Sequence, residues 1–187
     1  FLEHGFQNAN LRRISSESGV STGSIYTRFG DKAGLFSAVV KPAADGLMEL
    51  YLESITAARE SGDPAEATSQ GNEGTELVLK YIYENFDVFK LIFCHSAGTE
   101  YERYFDELAE IEEKYYREFV KQFSRRENMV SDFFIHVICR TGWSYIYEVV
   151  SHDLSYDEAQ IFMKSIREFC FAGWGKVLGQ NYEDLGL

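Results

Sequence analysis

Residues Asn10 to Phe29 read NLRRISSESGVSTGSIYTRF, and the spacing of apolar and small residues in this stretch decides the fold. Leu11, Ile14 and Ser18 fall at i, i+3 and i+7, one face of a short helix, and Gly19 follows where a helix closes through a left-handed residue. Val20 is expected to plug the turn and Ser21 to cap a second helix, whose inner side is Ile25 and Phe29, four residues apart. This is a helix-turn-helix pattern. With Ile25 and Phe29 inward, a rotation of about 100° per residue puts Gly23 and Thr27 outermost, Ser24 and Tyr26 on the flanks and Arg28 nearby. Small, polar and hydrogen-bonding side chains of this kind suit a DNA major groove.

Working outward, Asp31 in Gly30-Asp-Lys-Ala-Gly-Leu-Phe36 is placed to cap a third helix. Lys32 in its first turn opposes the helix dipole, yet a lysine at a helix N-terminus makes a phosphate clamp. Upstream, the chain starts at Phe1 with no initiator methionine, so its natural beginning is expected to lie ahead of that residue.

Phe1 to about Val40 resembles the TetR family of bacterial transcriptional regulators. Phe1-Leu-Glu-His-Gly-Phe6 looks like the end of that family's first helix. Ile14 and Gly19-Val20-Ser21-Thr22-Gly23 look like its second helix and turn; Ile25-Tyr26, Phe29, Lys32 and Leu35 look like its recognition helix and the start of the fourth. The resemblance implies a homodimer on a double-stranded DNA operator. Thr22, Gly23, Ser24, Tyr26, Thr27 and Arg28 would then form the recognition surface, with Arg12 and Lys32 on phosphates. Among the departures, Ala9 stands where the family often has a capping threonine and Arg13 where an acid is common.

The charge balance divides the chain in two. Its 187 residues carry a net charge of -12, but residues 1–46 hold five basic and four acidic side chains, leaving -13 to residues 47–187. A nearly neutral DNA-binding head at 1–46 and an acidic effector-binding and dimerisation body at 47–187 are expected. Two prolines and 16% aromatic residues, with few turn clusters, point to an all-α fold. Three scattered cysteines make neither a disulfide framework nor a zinc knuckle, which suits a reducing cytoplasm, and no apolar run reaches the roughly 18 residues of a membrane span.

In the body, Pro42 is expected to break or bend the helical pattern of 33–59, and Ser61 to Gly74 reads as a loop. Helices are expected near 75–85, 87–96, 100–124, 131–152 and 156–178. Phe162, Ile166, Phe169, Gly173 and Trp174 belong to an apolar stripe on the last helix, which in the resembled family pairs with its copy in a dimer. The expected effector pocket is drawn from the aromatic residues: Phe89, Phe93, His95, Tyr115, Phe119, Trp143 and Tyr147. Glu148 is a candidate counter-charge to a cationic ligand, and Glu110, Glu112 and Glu113 read as a solvated helix face. No phosphate loop, nucleophile elbow, metal-ligand spacing or other enzymatic constellation is evident, and no cofactor is implied. The expectation is a repressor released by a small apolar or amphipathic effector. Its alternative is a DNA-binding protein whose body recruits a protein partner instead.

Overall fold

The computed structural model describes residues 1–60, 64–124 and 130–179. Within them the regular elements are all helical: α1 (Gly5–Asn8), α2 (Leu11–Ser18), α3 (Thr22–Phe29), α4 (Lys32–Glu60), α5 (Pro64–Glu84), α6 (Phe86–His95), α7 (Tyr104–Phe123), α8 (Asp132–Ser151) and α9 (Tyr156–Leu178). A 3-10 turn at Glu100–Arg103 leads into α7.

The head forms by local chemistry. Asn10, next to the Ala9 of the departure noted above, caps α2 by accepting from the Arg12 amide at 2.8 Å. Gly19 ends α2 at φ 71°, where a side chain would be strained. Ser21 caps α3 through the Ser24 amide, and the Asp31 carboxylate accepts from the Gly34 amide at 2.8 Å. Val20, the expected apolar plug, is instead 46% exposed. Hydrogen bonds close this turn: Ser15 Oγ donates to the Val20 carbonyl and the Val20 amide donates to Ser18 Oγ.

Pro42 does not divide α4. Both Pro42 and Ala38, whose carbonyl loses its helical partner, lie on the exposed face, so the freed acceptor is open to solvent and the helix runs on. The expected boundary at residue 46 therefore falls inside α4, which belongs to head and body alike. Phe36 on its first turns is fully buried among Phe1, Phe6 and Tyr101. The core continues through Val40, Leu47, Ile82, Phe89, Leu108 and Val150, where α5 and α6 pack on α4, α6 also meets α8, and α8 lies along α7.

The loop expected over Ser61 to Gly74 is a correction. Residues 61–63 lie outside the described residues, and from Pro64 onward the segment is helical. Glycine reads as a breaker in sequence, but here it brings two helices together: a Cβ on Gly74 would sit 2.8 Å from Ser54 Cβ on α4. Gly71 has nothing within 4 Å of its Cβ position. Gly71→Ala is therefore expected to stabilise by about 0.5–1 kcal/mol through helix propensity. Gly74→Ala should lose about 1 kcal/mol as α4 and α5 are pushed apart. Paired urea titrations measure both; equal responses would refute the close-approach role of Gly74.

Candidate nucleic-acid interface and body cavity

Ile25, 3% exposed, anchors α3 against the head, and Phe29 is half-buried beside it. That orientation leaves Gly23, Ser24, Tyr26, Thr27 and Arg28 exposed and Thr22 half-buried. Tyr26 is the large side chain of this surface, at 53% exposure. Ser24 Oγ lies 2.9 Å from Ser21 Oγ, and Thr27 Oγ1 donates to the Gly23 carbonyl, so both hydroxyls are held in place with acceptor capacity to spare. The Arg28 guanidinium lies 5.4 Å from the Phe29 ring centroid. Arg12 is exposed at the start of α2, whereas Arg13 is held by Glu17 at 2.7 Å and Glu3 at 3.2 Å.

Lys32 has a structural task that the sequence pattern did not reveal. Its Nζ donates to the carbonyls of Gln7 and Ala9 at 3.0 and 3.1 Å and sits 4.6 Å over the Phe6 ring. The ammonium thus satisfies carbonyls at the end of α1 and ties that helix to the start of α4. Two of its three N–H donors are used, which leaves one for a phosphate.

In the body, α4, α5, α7, α8 and α9 line a mostly apolar cavity of about 510 Å³ that is partly open to solvent. Tyr115, Phe119 and Trp143 line it. Phe89, Phe93, His95 and Tyr147 do not line it. Phe89 is fully buried in the core between Tyr81 and Phe93, and Phe93 stacks on Phe105 with centroids 4.2 Å apart. His95 packs by Gly5 of α1, where burial lowers its pKa, and Tyr147 points to the surface beside Phe105. Glu148 is also exposed, with His152 3.3 Å away.

Glu112 and Glu113 correct the expectation of a solvated acidic face. Glu113 is buried and held by Arg117 at 2.9 Å and His136 at 2.8 Å. Glu112 lines the cavity, its Oε2 3.8 Å from the position a Cβ would take on Gly142. The residue is half-buried and borders the cavity. Burial pushes its pKa up to about 8, with the Trp143 indole N–H near enough to oppose the shift. That N–H nevertheless reaches no acceptor at hydrogen-bond distance, and neither does the Tyr51 hydroxyl; both are buried. The signal for Glu112 was present in sequence, because Leu108, Glu112, Tyr115, Tyr116 and Phe119 follow a helical stripe. Reading three glutamates as one charged run obscured it.

On α9, Phe162 packs on Tyr145 at 6.2 Å and Trp174 stacks on Tyr116 at 4.9 Å, facing inward. Ile166 is half-buried, while Gly173 and Phe169 are exposed, Phe169 at 70%. Phe133, Val137 and Ile161 add further exposed apolar side chains on α8 and α9. No helix among the described residues is long and apolar enough to cross a membrane.

Residues 1–39 match the family model of the bacterial regulatory proteins of the tetR family. The HTH-type transcriptional repressor AcnR of Corynebacterium glutamicum is 39% identical over 54 residues, which are 29% of this chain and 29% of that protein. The proteins of the same name from Corynebacterium efficiens and Corynebacterium diphtheriae are 39% and 37% identical over 54 residues, covering 29% of this chain and 29% and 28% of theirs. The similarity thus spans less than a third of these relatives. No solved structure matches the chain. The N-terminal helix-turn-helix of this chain, residues 1–39, is thus similar to the bacterial regulatory proteins of the tetR family.

Proposed function

We propose that this protein is a ligand-responsive, DNA-binding transcriptional regulator, a repressor that leaves its operator when a small apolar or amphipathic molecule fills the body cavity. The observation that carries the DNA-binding part is the solvent-facing side of α3, with Tyr26, Thr27 and Arg28 exposed above a buried Ile25. Two copies present two such helices to successive major grooves about 34–36 Å apart. The exposed Phe133, Val137, Ile161 and Phe169 on α8 and α9 support a homodimer through those helices.

The release mechanism follows from α4. Its first turn holds Lys32 and packs by α3, and its last turns supply Tyr51, Ile55 and Ala58 to the cavity wall. A ligand that displaces those turns moves a continuous helix whose other end fixes the recognition helix. It acts to the extent that it binds one arrangement better than the other. The mostly apolar cavity favours a small-molecule effector over a body that only recruits a protein partner.

The test is selection of bound duplexes from a random library, followed by salt-titrated affinity measurements on the selected site. Tyr26→Ala and Arg28→Ala should each weaken specific binding about tenfold or more. Lys32→Ala should weaken binding to all duplexes and reduce the salt slope by about one. Its thermal midpoint should also fall, because α1 loses its tether. Failure to enrich any sequence, or unchanged affinity in all three variants, would overturn the assignment of α3 to the major groove.

A further inference from the structure

We infer that the cavity is built for an apolar aromatic cation whose positive charge pairs with Glu112. This deepens the effector reading given above and rests on it.

The carboxyl of Glu112 lies in the wall of a cavity that is otherwise aromatic and aliphatic, and no basic group is paired with it among the described residues. Arg167 is the basic side chain among the described lining residues, and it is engaged by Glu76 at 2.6 Å. Leaving an acid unpaired in such a place has a cost that a hydrophobic residue would avoid. A bound cation removes that cost. Ring systems bracket the same region: Trp143 packs edge-on against Tyr51 at 5.0 Å, and Tyr116 stacks on Trp174 at an interplanar angle of 2°. Their faces attract a cation and accommodate the apolar remainder of the ligand. The buried, unpartnered Tyr51 hydroxyl adds an acceptor on the wall. A chain with a net charge of -12 also attracts cations and repels anions on approach.

Proton balance gives the proposal a distinctive signature. With its pKa near 8, Glu112 carries a proton at pH 7 in the empty cavity, so binding a permanent cation releases that proton to solvent. The titratable groups that face Glu112 are Tyr51 from α4, Tyr116 from α7, Cys139 from α8 and Cys170 from α9. Burial raises the pKa of all four, so each stays neutral between pH 6 and 8 and leaves Glu112 as the group that titrates.

Three probes of one shape test this by calorimetry on the full chain: naphthylmethyl-trimethylammonium, its uncharged carbon isostere neopentylnaphthalene, and naphthylacetate. The cation should bind the tightest, gain about tenfold in affinity from pH 6 to 7 and about fivefold from 7 to 8, and release close to one proton at pH 7, read from two buffers of different ionisation enthalpy. The isostere should show no pH dependence. Glu112→Gln should weaken the cation by about a hundredfold at pH 8.5, abolish its pH slope and leave the isostere within about threefold, with unchanged circular dichroism. Equal affinity for cation and isostere, preference for naphthylacetate, or an unchanged Glu112→Gln variant would overturn the cation assignment while leaving the cavity as an effector site. Absence of binding by all three would overturn both.

Discussion

Replacing Phe36 by alanine is expected to lower the unfolding free energy by about 3–5 kcal/mol, the range for removing a large aromatic side chain from a packed core. Phe36 has no exposed surface and meets Phe1 and Phe6 edge to face, with centroids at 5.2 and 5.4 Å, and Tyr101 at 6.3 Å. Three parts of the fold converge there: the residues leading into α1, the start of α4, and the turn before α7. The truncated side chain cannot be replaced by local collapse, because each neighbouring ring is fixed by its own element. Val39→Ala on the same helix, at 42% exposure, should change stability by no more than about 0.5 kcal/mol. Guanidinium unfolding of the two variants decides the matter. A loss below about 1 kcal/mol for Phe36→Ala would mean that the aromatic junction does not hold head to body.

The second large effect is a change in the pH dependence of stability on replacing Glu112 by glutamine. The folded protein holds the Glu112 proton up to a pKa of about 8, whereas the unfolded chain releases it near the ordinary carboxylate value of 4.5. Between those values the native state binds more protons, so its stability falls as pH rises, and the loss is complete above about pH 8. Glutamine removes this contribution. The variant should gain on the parent by roughly 2–4 kcal/mol between pH 5 and pH 8.5, after discounting the shift for water in the cavity. Asp106 acts in the opposite sense, because its hydrogen bond from Arg140 lowers its pKa; its contribution is present above the ordinary carboxylate range and is lost as pH falls below it. The two windows do not overlap, and subtracting the two unfolding profiles isolates Glu112. Parallel profiles for parent and variant would show that Glu112 is ionised in the folded protein.

The head was legible almost residue by residue. Gly19 ends α2 and Ser21 caps α3 as their spacing predicts, whereas the Asn10 cap of α2 was not read from sequence, and these contacts span four residues or fewer. Helix boundaries from Phe86 onward fall within about one residue of those expected, except that the helix expected from 100 begins as a 3-10 turn at Glu100–Arg103; the Ser155 and Glu158 capping box at the start of α9 was not read from sequence. The errors arose where a residue answers to distant chain. Gly74 looked like a breaker because the nearby Ser54 on α4 is not evident from its own neighbours in sequence. Phe93 and Tyr147 looked equivalent to Tyr115 and Phe119 as pocket aromatics, since ring chemistry carries no information on which side of a helix meets a void.

Lys32 and Glu112 mark the division between the two kinds of information. The sequence by itself determined that this chain is all-α, opens with a helix-turn-helix, and presents Tyr26, Thr27 and Arg28 to solvent, because periodicity, caps and turns act over a few residues. Only the tertiary structure decided that the Lys32 ammonium tethers α1, that Pro42 leaves α4 whole, and that one of three neighbouring glutamates lines an apolar cavity. Each of those outcomes depends on what lies opposite a side chain after five helices have packed. Burial, pKa and cavity shape are properties of that assembled environment, and no local pattern contains them.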